Sequence, residues 1–390
     1  MNNNTMKILS VDDEQDLSLL MKQMFRKEIK GGEYDFHFAS NGAKALEVLA
    51  KNPDISLVLA DINMPVMNGL TLLKKIREMN NPLMRVIIVS AYGDMKNIRI
   101  AMNHGAFDFV TKPIDFGDLR TTLEKTRKEI DFIKRKLKQG KRLKVLEADL
   151  EAGALIQNAL LPKIRGRLPD FPSVNIYTHY LPAKEVSGDF YDVFPLDNHR
   201  LGFLIADVSG KGVPAAAFML ICHTAIRIYS REEDSPSKVL KRANNYLSTG
   251  NSESMFATAY FAILDTETNK LNFAFAGHNK PFLIQNDMVS EITSKQNIAL
   301  GIVDDYDFAE ESIQLEPGDK IVMFTDGITE PVDDEGNDYG DERLNSLINA
   351  TKNKNIIEIG SKIITEIEVF TKGLPQFDDI TLVAFEINNL

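Results

Sequence analysis

The chain has a single cysteine, Cys222, among 390 residues. No intrachain disulfide can form, and so little thiol fits a reducing compartment. Long hydrophobic runs are also missing. The longest, AAAFMLIC, is far too short to span a bilayer. The opening MNNNTMK has no apolar stretch of the signal-peptide kind. These absences together predict a cytoplasmic chain with no membrane contact. No glycine-rich dinucleotide fingerprint follows the first apolar run, which argues against a nucleotide-binding fold there. SGKG at 209–212 lacks the spacing and the following Ser/Thr of a P-loop, and no Gly-x-Ser-x-Gly elbow surrounds Ser209.

What is present is acidic and uneven. The formal charge is −11. Residues 1–144 hold 25 Lys/Arg against 18 Asp/Glu, whereas residues 145–390 hold 20 against 38. An acidic second half would repel nucleic acid, whose binding depends on neutralising phosphates, and no helix-turn-helix is recognisable. A DNA-binding role is therefore not expected. The length predicts two or three domains.

Over residues 1–125, the short apolar runs KILSV, DFHFA, SLVLA, RVIIV and FDFV alternate with amphipathic helical stretches. Five such repeats predict an α/β domain with a five-stranded, doubly wound parallel sheet. Residues 116–161 read as one long helix. Leu119, Leu123, Thr126, Ile130, Ile133 and Leu137 follow heptad spacing, and Leu143, Leu146, Leu150, Gly153, Gln157 and Leu160 resume it in a shifted phase. A coiled-coil linker that pairs two copies of the chain is expected, with a hinge or local unwinding at Gly140. The seven basic residues of KRKLKQGKRLK (134–144) read as a solvated helix face. Pro162 ends the helix, and residues 162–390 mix strand runs with helical stretches in the manner of an α+β sandwich.

Carboxylates at the ends of apolar runs carry the chemistry. Asp12 and Asp13 close the first strand and Asp61 the third, while Ser90 closes the fourth and Lys112 follows the fifth. Ligands of open parallel sheets gather at the carboxyl ends of strands. Three carboxylates there suit a hard cation such as Mg²⁺, and a hydroxyl and an ammonium beside them would stabilise a phosphoryl group. The stretches VDDE, LADINMPVMNG, VSA and FVTKP resemble the receiver domain of two-component response regulators. That resemblance implies phosphorylation of Asp61 by a sensor histidine kinase. It implies Mg²⁺ held by Asp12, Asp13, Asp61 and the carbonyl of Asn63, phosphoryl contacts from Ser90 and Lys112, and an aromatic switch at Phe109. It also makes Lys112-Pro113 the usual Lys-Pro pair, often cis.

In the second half, GFLIADVSG places Asp207 after an apolar run, KIVMFTDGITE does so for Asp326, and Asp379 precedes ITLVAFEI. Antiparallel pairing can bring these three to one rim of a sheet, with Asp189 of VSGDFYD as a fourth. Four carboxylates without clustered cysteine or histidine favour Mn²⁺ or Mg²⁺ over Zn²⁺. Two such ions roughly 3.5–4 Å apart can bind a phosphate and activate water. EVSGDFYD, IADVSGKGVPAA, AGHNKP, PGDKIVMFTDGITE and FDDITLV resemble the bacterial type-2C protein phosphatases related to SpoIIE and RsbU, from about residue 160 to 388.

By that resemblance Asp207 bridges two metals, Asp326 and Asp379 complete one site, and Asp189 with the carbonyl of Val208 serves the other. Ser187 stands where many members have glycine. The arginine that eukaryotic relatives use to grip phosphate has no obvious counterpart here, and Lys184 is the candidate for that contact. The implied whole is a receiver-controlled, metal-dependent protein-serine/threonine phosphatase. The implied substrate is a phosphorylated anti-sigma-factor antagonist of the STAS type, in partner-switching control of transcription. The alternative is a non-catalytic module that sequesters the antagonist or a sigma factor. His278 is expected to be a buried, hydrogen-bonded turn residue, and DDEGNDYGDE (333–342) a hairpin turn and not a calcium loop.

Overall fold

The computed structural model describes residues 5–251, 253–295 and 297–388, so the first four residues of MNNNTMK lie outside it. Two compact units divide the chain, Met1–Leu146 and Glu147–Leu390. Among the described residues no helix is long and apolar enough to cross a membrane.

In the first unit, strands β1 (Met6–Val11), β2 (Tyr34–Ala39), β3 (Leu57–Asp61), β4 (Arg85–Ala91) and β5 (Asp108–Lys112) form one sheet. Its order is β2-β1-β3-β4-β5 and every pairing is parallel. Because both faces are covered by helices, the central strands read as unbroken apolar runs. Leu9, Val58 and Ile88 pack on one side, and Ile8, Leu59 and Ile87 on the other. Strand order reverses between β1 and β3, so the crevice forms where Asp12 and Asp61 end their strands.

One continuous helix runs from Phe116 to Leu160. Gly140 stays helical, in contrast to the expected hinge. The Lys, Arg and Leu residues around it are strong helix formers, and a single glycine costs such a helix only about 1 kcal/mol. The heptad seam also divides in two. Leu119, Leu123 and Ile130 are buried in the core of the first unit, where they pack with Ile8, Met21 and Phe25. They serve their own domain. Exposed apolar residues begin at Phe132 and continue with Leu137, Leu143, Leu146, Leu155 and Ile156.

The second unit is a sandwich of two antiparallel sheets. Strands β6 (Arg165–Leu168), β7 (Phe171–Leu181), β8 (Phe190–Pro195) and β9 (Arg200–Val208) are followed by β10 (Ala257–Asp265) and β11 (Lys270–Ala276). After these come β12 (Phe282–Gln285), β13 (Met288–Glu291), β14 (Glu310–Gln314), β15 (Lys320–Phe324) and β16 (Ile380–Ile387). The sheets are ordered β14-β11-β10-β9-β8 and β13-β12-β15-β16-β7-β6. Their facing sides share one core, in which Phe203 stacks on Phe385 at 4.2 Å. Strand β16 shows the alternation: Val383, Phe385 and Ile387 point to the inner core, while Leu382 and Ala384 face the helix Ile356–Thr371. The helices Val213–Tyr229 and Pro236–Ser248 cover the other sheet.

Candidate metal and phosphoryl sites

In the first unit Lys112 is the hub. Its Nζ lies 2.9 Å from Asp61 Oδ2, 2.9 Å from Asp12 Oδ2 and 3.0 Å from Glu14 Oε1. Burial works against the ammonium, but hydrogen bonds to Asp61, Asp12 and Glu14 outweigh it and raise its pKa. Burial also raises the pKa of Asp12. Carboxylate oxygens of Asp12, Asp13 and Asp61 lie within 4.8 Å of one another, an all-oxygen set of the kind a hard divalent cation takes. The backbone N–H of Asn63 donates to Asp61 Oδ1 at 3.4 Å. Ser90 is buried and donates to Asp94 Oδ2 at 3.4 Å, while Phe109 is half-buried against the core. Gly69 sits where a Cβ would overlap the Asp61 carbonyl oxygen, so only glycine lets the following helix start this close to the acid. The Lys112–Pro113 peptide bond is cis. Glu14 was not singled out from sequence, although it is the third acid of VDDE.

In the second unit the acids converge from both sheets, not along one rim. Asp207 ends β9 in one sheet; Asp326 follows β15 and Asp378 precedes β16 in the other. Oxygens of Asp326, Glu330 and Asp378 lie within 4.8 Å of one another. Burial is the main force raising the pKa of Asp207, to about 7, and the charge of Asp326 adds to it. Asp326 is pushed up to about 6 by burial and then by Glu330 and Asp378.

Asp189 is buried and also pushed up, by burial and then by Asp207. It is held in place by Thr325 Oγ1 at 2.7 Å and Thr381 Oγ1 at 2.6 Å, both donating to Oδ2. Those hydroxyls come from β15's end and β16, so the two strands that carry Asp326 and Asp378 also fix Asp189.

Asp379 is placed differently from expectation. Its Oδ1 accepts from Ala183 N at 2.7 Å, and its Oδ2 accepts from Ser187 Oγ at 2.6 Å and Gly188 N at 3.2 Å. It anchors the loop before Asp189, while its neighbour Asp378 joins the acid group. Gly327 lets the turn after Asp326 press against this point, because a Cβ there would overlap the Asp379 carbonyl oxygen. The serine at 187 is thus a loop anchor. Its backbone is gripped by buried Gln157 of the long helix, through Nε2 to Ser187 O at 2.7 Å and Ser187 N to Oε1 at 3.1 Å.

Lys211, which was not singled out from sequence, pairs with this group. Its Nζ is 2.8 Å from Asp378 Oδ2 and 2.9 Å from the Phe377 carbonyl. Lys184 is exposed. Histidines stay out of the group. His278 is buried, its Nδ1 2.8 Å from Thr258 Oγ1, and burial lowers its pKa to about 3, so it is neutral. His223 pairs with buried Asp192 at 2.9 Å. In the segment 333–342, Asp333 Oδ1 accepts from the N–H groups of Glu335 and Asn337, and Val332 bridges Asp338 antiparallel, which is a turn.

The family model "Response regulator receiver domain" matches residues 8–124. Sporulation initiation phosphotransferase F of Bacillus subtilis is 36% identical over 120 residues, which cover 30% of this chain and 91% of that protein. The chain belongs to the response regulators. After the receiver in sequence, the model "Stage II sporulation protein E (SpoIIE)" matches residues 197–388.

Phosphoserine phosphatase RsbU of Bacillus subtilis is 34% identical over 186 residues, or 47% of this response regulator and 54% of RsbU. The chain spans about half the length of the curated relatives it matches over this part, between 41% and 54%. The SiaA-PP2C domain of Pseudomonas aeruginosa has the same fold as the second unit. Its TM-score is 0.56 at 22% identity, over 63% of this chain and 99% of that domain.

The raised acids have a measurable consequence. Without metal, Asp207 and Asp326 keep protons that an unfolded chain, with carboxyls near 3.8, has already lost. Their contribution to stability is therefore greatest below about pH 4 and is lost as pH rises through about 6 to 7. A divalent cation bound among these acids would take the place of those protons. Mn²⁺ should raise the melting temperature of the protein by several degrees at pH 7.5 and by much less at pH 5, measured by scanning fluorimetry. An equal rise at both pH values would contradict the placement of the cation among these acids.

Proposed function

We propose that this response regulator is a metal-dependent protein-serine/threonine phosphatase governed by phosphorylation of Asp61. The observation that carries the reading is the convergence of Asp189, Asp207, Asp326 and Asp378, with Glu330, at the ends of two sheets. Like charges driven together under burial are stable only with protons or cations among them. The all-oxygen set fits Mn²⁺ or Mg²⁺, held by Asp189, Asp207, Asp326 and Asp378, with the Val208 carbonyl as a further ligand. Such ions, when bound, neutralise phosphate charge and acidify water. The chain's own part is to hold Asp189 through Thr325 and Thr381, and to place the Lys211 ammonium where it can pair with a phosphoryl oxygen.

In the receiver, Mg²⁺ would rest on Asp12, Asp13, Asp61 and the Asn63 carbonyl. Lys112 and Ser90 would take the phosphoryl oxygens, and Phe109 would repack in response. A sensor histidine kinase is the phosphodonor this reading calls for, and the transfer would occur in the cytoplasm.

The likeness to RsbU, named a phosphoserine phosphatase, supports a phosphoserine protein as substrate. A phosphorylated anti-sigma-factor antagonist of the STAS type, in a partner switch controlling transcription, is the substrate the family resemblance favours. The non-catalytic sequestering reading has no use for four clustered acids. One assay separates the two. Asp207→Asn should abolish Mn²⁺-dependent hydrolysis of p-nitrophenyl phosphate and of a phosphoserine protein, with circular dichroism unchanged. Wild-type protein inert toward both, or a mutant of near-normal turnover, would defeat the phosphatase reading.

Control should run along the helix Phe116–Leu160. Its early turns belong to the receiver core, and its last turns carry Gln157, which grips the loop leading to Asp189. Beryllofluoride should raise turnover roughly 5- to 150-fold, the range of ordinary coupling energies. Asp61→Ala and Gln157→Ala should each remove that response. A beryllofluoride-induced loss of activity would reverse the sign, and an unaltered response in Gln157→Ala would place the coupling elsewhere.

The exposed apolar residues of the same helix call for a second copy of the chain. Leu143, Leu146, Leu155 and Ile156 are each more than half exposed, at 54–73%. Light scattering at micromolar concentration should give a homodimer, and Leu143→Asp with Leu146→Asp a monomer. A monomeric wild type, with and without beryllofluoride, would count against pairing.

A further inference from the structure

We propose that a groove beside the acid group binds an apolar side chain of the substrate protein, within three residues of its phosphorylated serine or threonine. The inference rests on the phosphatase reading and adds to it a sequence preference. The groove lies between the helix Ile356–Thr371, the start of β16 and the loop 374–378, and encloses about 180 Å³. That is small against the ~300–1,000 Å³ of sites that take whole small molecules, and suits one side chain.

Position decides what enters. Glu330 and Asp378 belong both to the groove wall and to the acid group, and Gly327 follows Asp326 directly. A phosphoryl group at the acids therefore puts the neighbouring residues of its own chain at the groove mouth. An extended chain advances roughly 3.3–3.6 Å per residue, which limits the occupant to the first few residues on one side.

Chemistry decides which residue it is. The floor is aliphatic, from Ile364, Ile367 and Ile380. Around the mouth, Val332 is 39%, Leu374 41% and Phe377 67% exposed. Apolar groups gathered around a concavity gain from being covered. The charged members of the lining, Glu330, Glu368 and Asp378, are all acids. His179 cannot offset them, since burial lowers its pKa. An acidic residue beside the phosphorylated one is thus repelled, and a neutral or basic one accepted.

The test uses the full chain with Mn²⁺ and a set of phosphoserine peptides. A single Leu, Ser or Asp is moved through the three positions on each side of the phosphoserine. At one position Leu should exceed Ser in kcat/KM by roughly 10-fold or more, with Asp below both. Val332→Asp and Leu374→Asp, both at exposed positions, should erase that preference and leave p-nitrophenyl phosphate hydrolysis within about twofold. Val332→Ile should keep the preference. A flat scan, or a preference that survives both Asp variants, would overturn the groove proposal while aryl phosphate hydrolysis leaves the phosphatase reading standing. A change in oligomeric state in the Asp variants without loss of preference would mark the groove as a self-interface and overturn it equally. No hydrolysis of any phosphoester would remove the phosphatase reading and the groove proposal together.

Discussion

Carboxylates held at the ends of buried strands repel one another, and both units of this chain are organised by how that repulsion is relieved. In the receiver one lysine meets three acids, Asp12, Glu14 and Asp61, at 2.9–3.0 Å. Among the described residues of the second unit no single cation does the same work. Lys211 reaches Asp378, but Asp207 and Asp326 remain with pKa values raised to about 7 and 6. Each tenfold change in proton affinity corresponds to roughly 1.4 kcal/mol, so the folded chain keeps this cluster at a cost of a few kcal/mol, less where Asp326 meets solvent. The surrounding core must supply that energy. It does so with two sheets whose facing sides are mostly apolar and with helices outside each.

The two units were not equally legible in the sequence. A parallel sheet with alternating helices leaves little freedom: the ends of β1 and β3 must meet at the reversal of strand order. Asp12, Asp61 and Lys112 therefore come together as their positions imply. In the sandwich, the strand-end acids were visible but their grouping was not. Sequence pattern shows that Asp378 and Asp379 precede β16; it does not show which one faces the acids. Consecutive residues entering a strand point to opposite sides, and the choice is made by the loop 183–188, which fills both oxygens of Asp379. Glu330 depends on a 3-10 turn at Asp326–Ile328 that no periodicity announces. Thr325 and Thr381 read as ordinary strand residues until their hydroxyls are seen on Asp189.

The long helix shows a different limit of pattern reading. A heptad seam records that one face of a helix is buried; it does not identify what covers the face. Leu119, Leu123 and Ile130 keep the spacing of a coiled coil because the receiver's own core needs a stripe of the same period. The phase shift near Gly140 then falls where the helix has left the receiver core, and the helix does not break there. This reading accounts for a glycine that remains helical while the apolar face turns.

That division also bears on how a signal can travel. The helix is unbroken from Phe116 to Leu160, so the control proposed above would act through it with no loop between. The far end is not a loose tether either. Gln157 makes two hydrogen bonds to the main chain of Ser187, and the Ser187 side chain bonds Asp379 at 2.6 Å. Net hydrogen-bond contributions of roughly 0.5–1.5 kcal/mol each are small beside the stability of a domain. They are comparable with the ~1–3 kcal/mol that separates two states of an ordinary regulated protein. A rotation that made or broke this pair of bonds would alter the loop that presents Asp189, without disturbing the core behind it. Burial, and after it mutual repulsion, already holds Asp207 and Asp326 with pKa values raised to about 7 and 6, so a small displacement of one of them would change the affinity of the others for a cation.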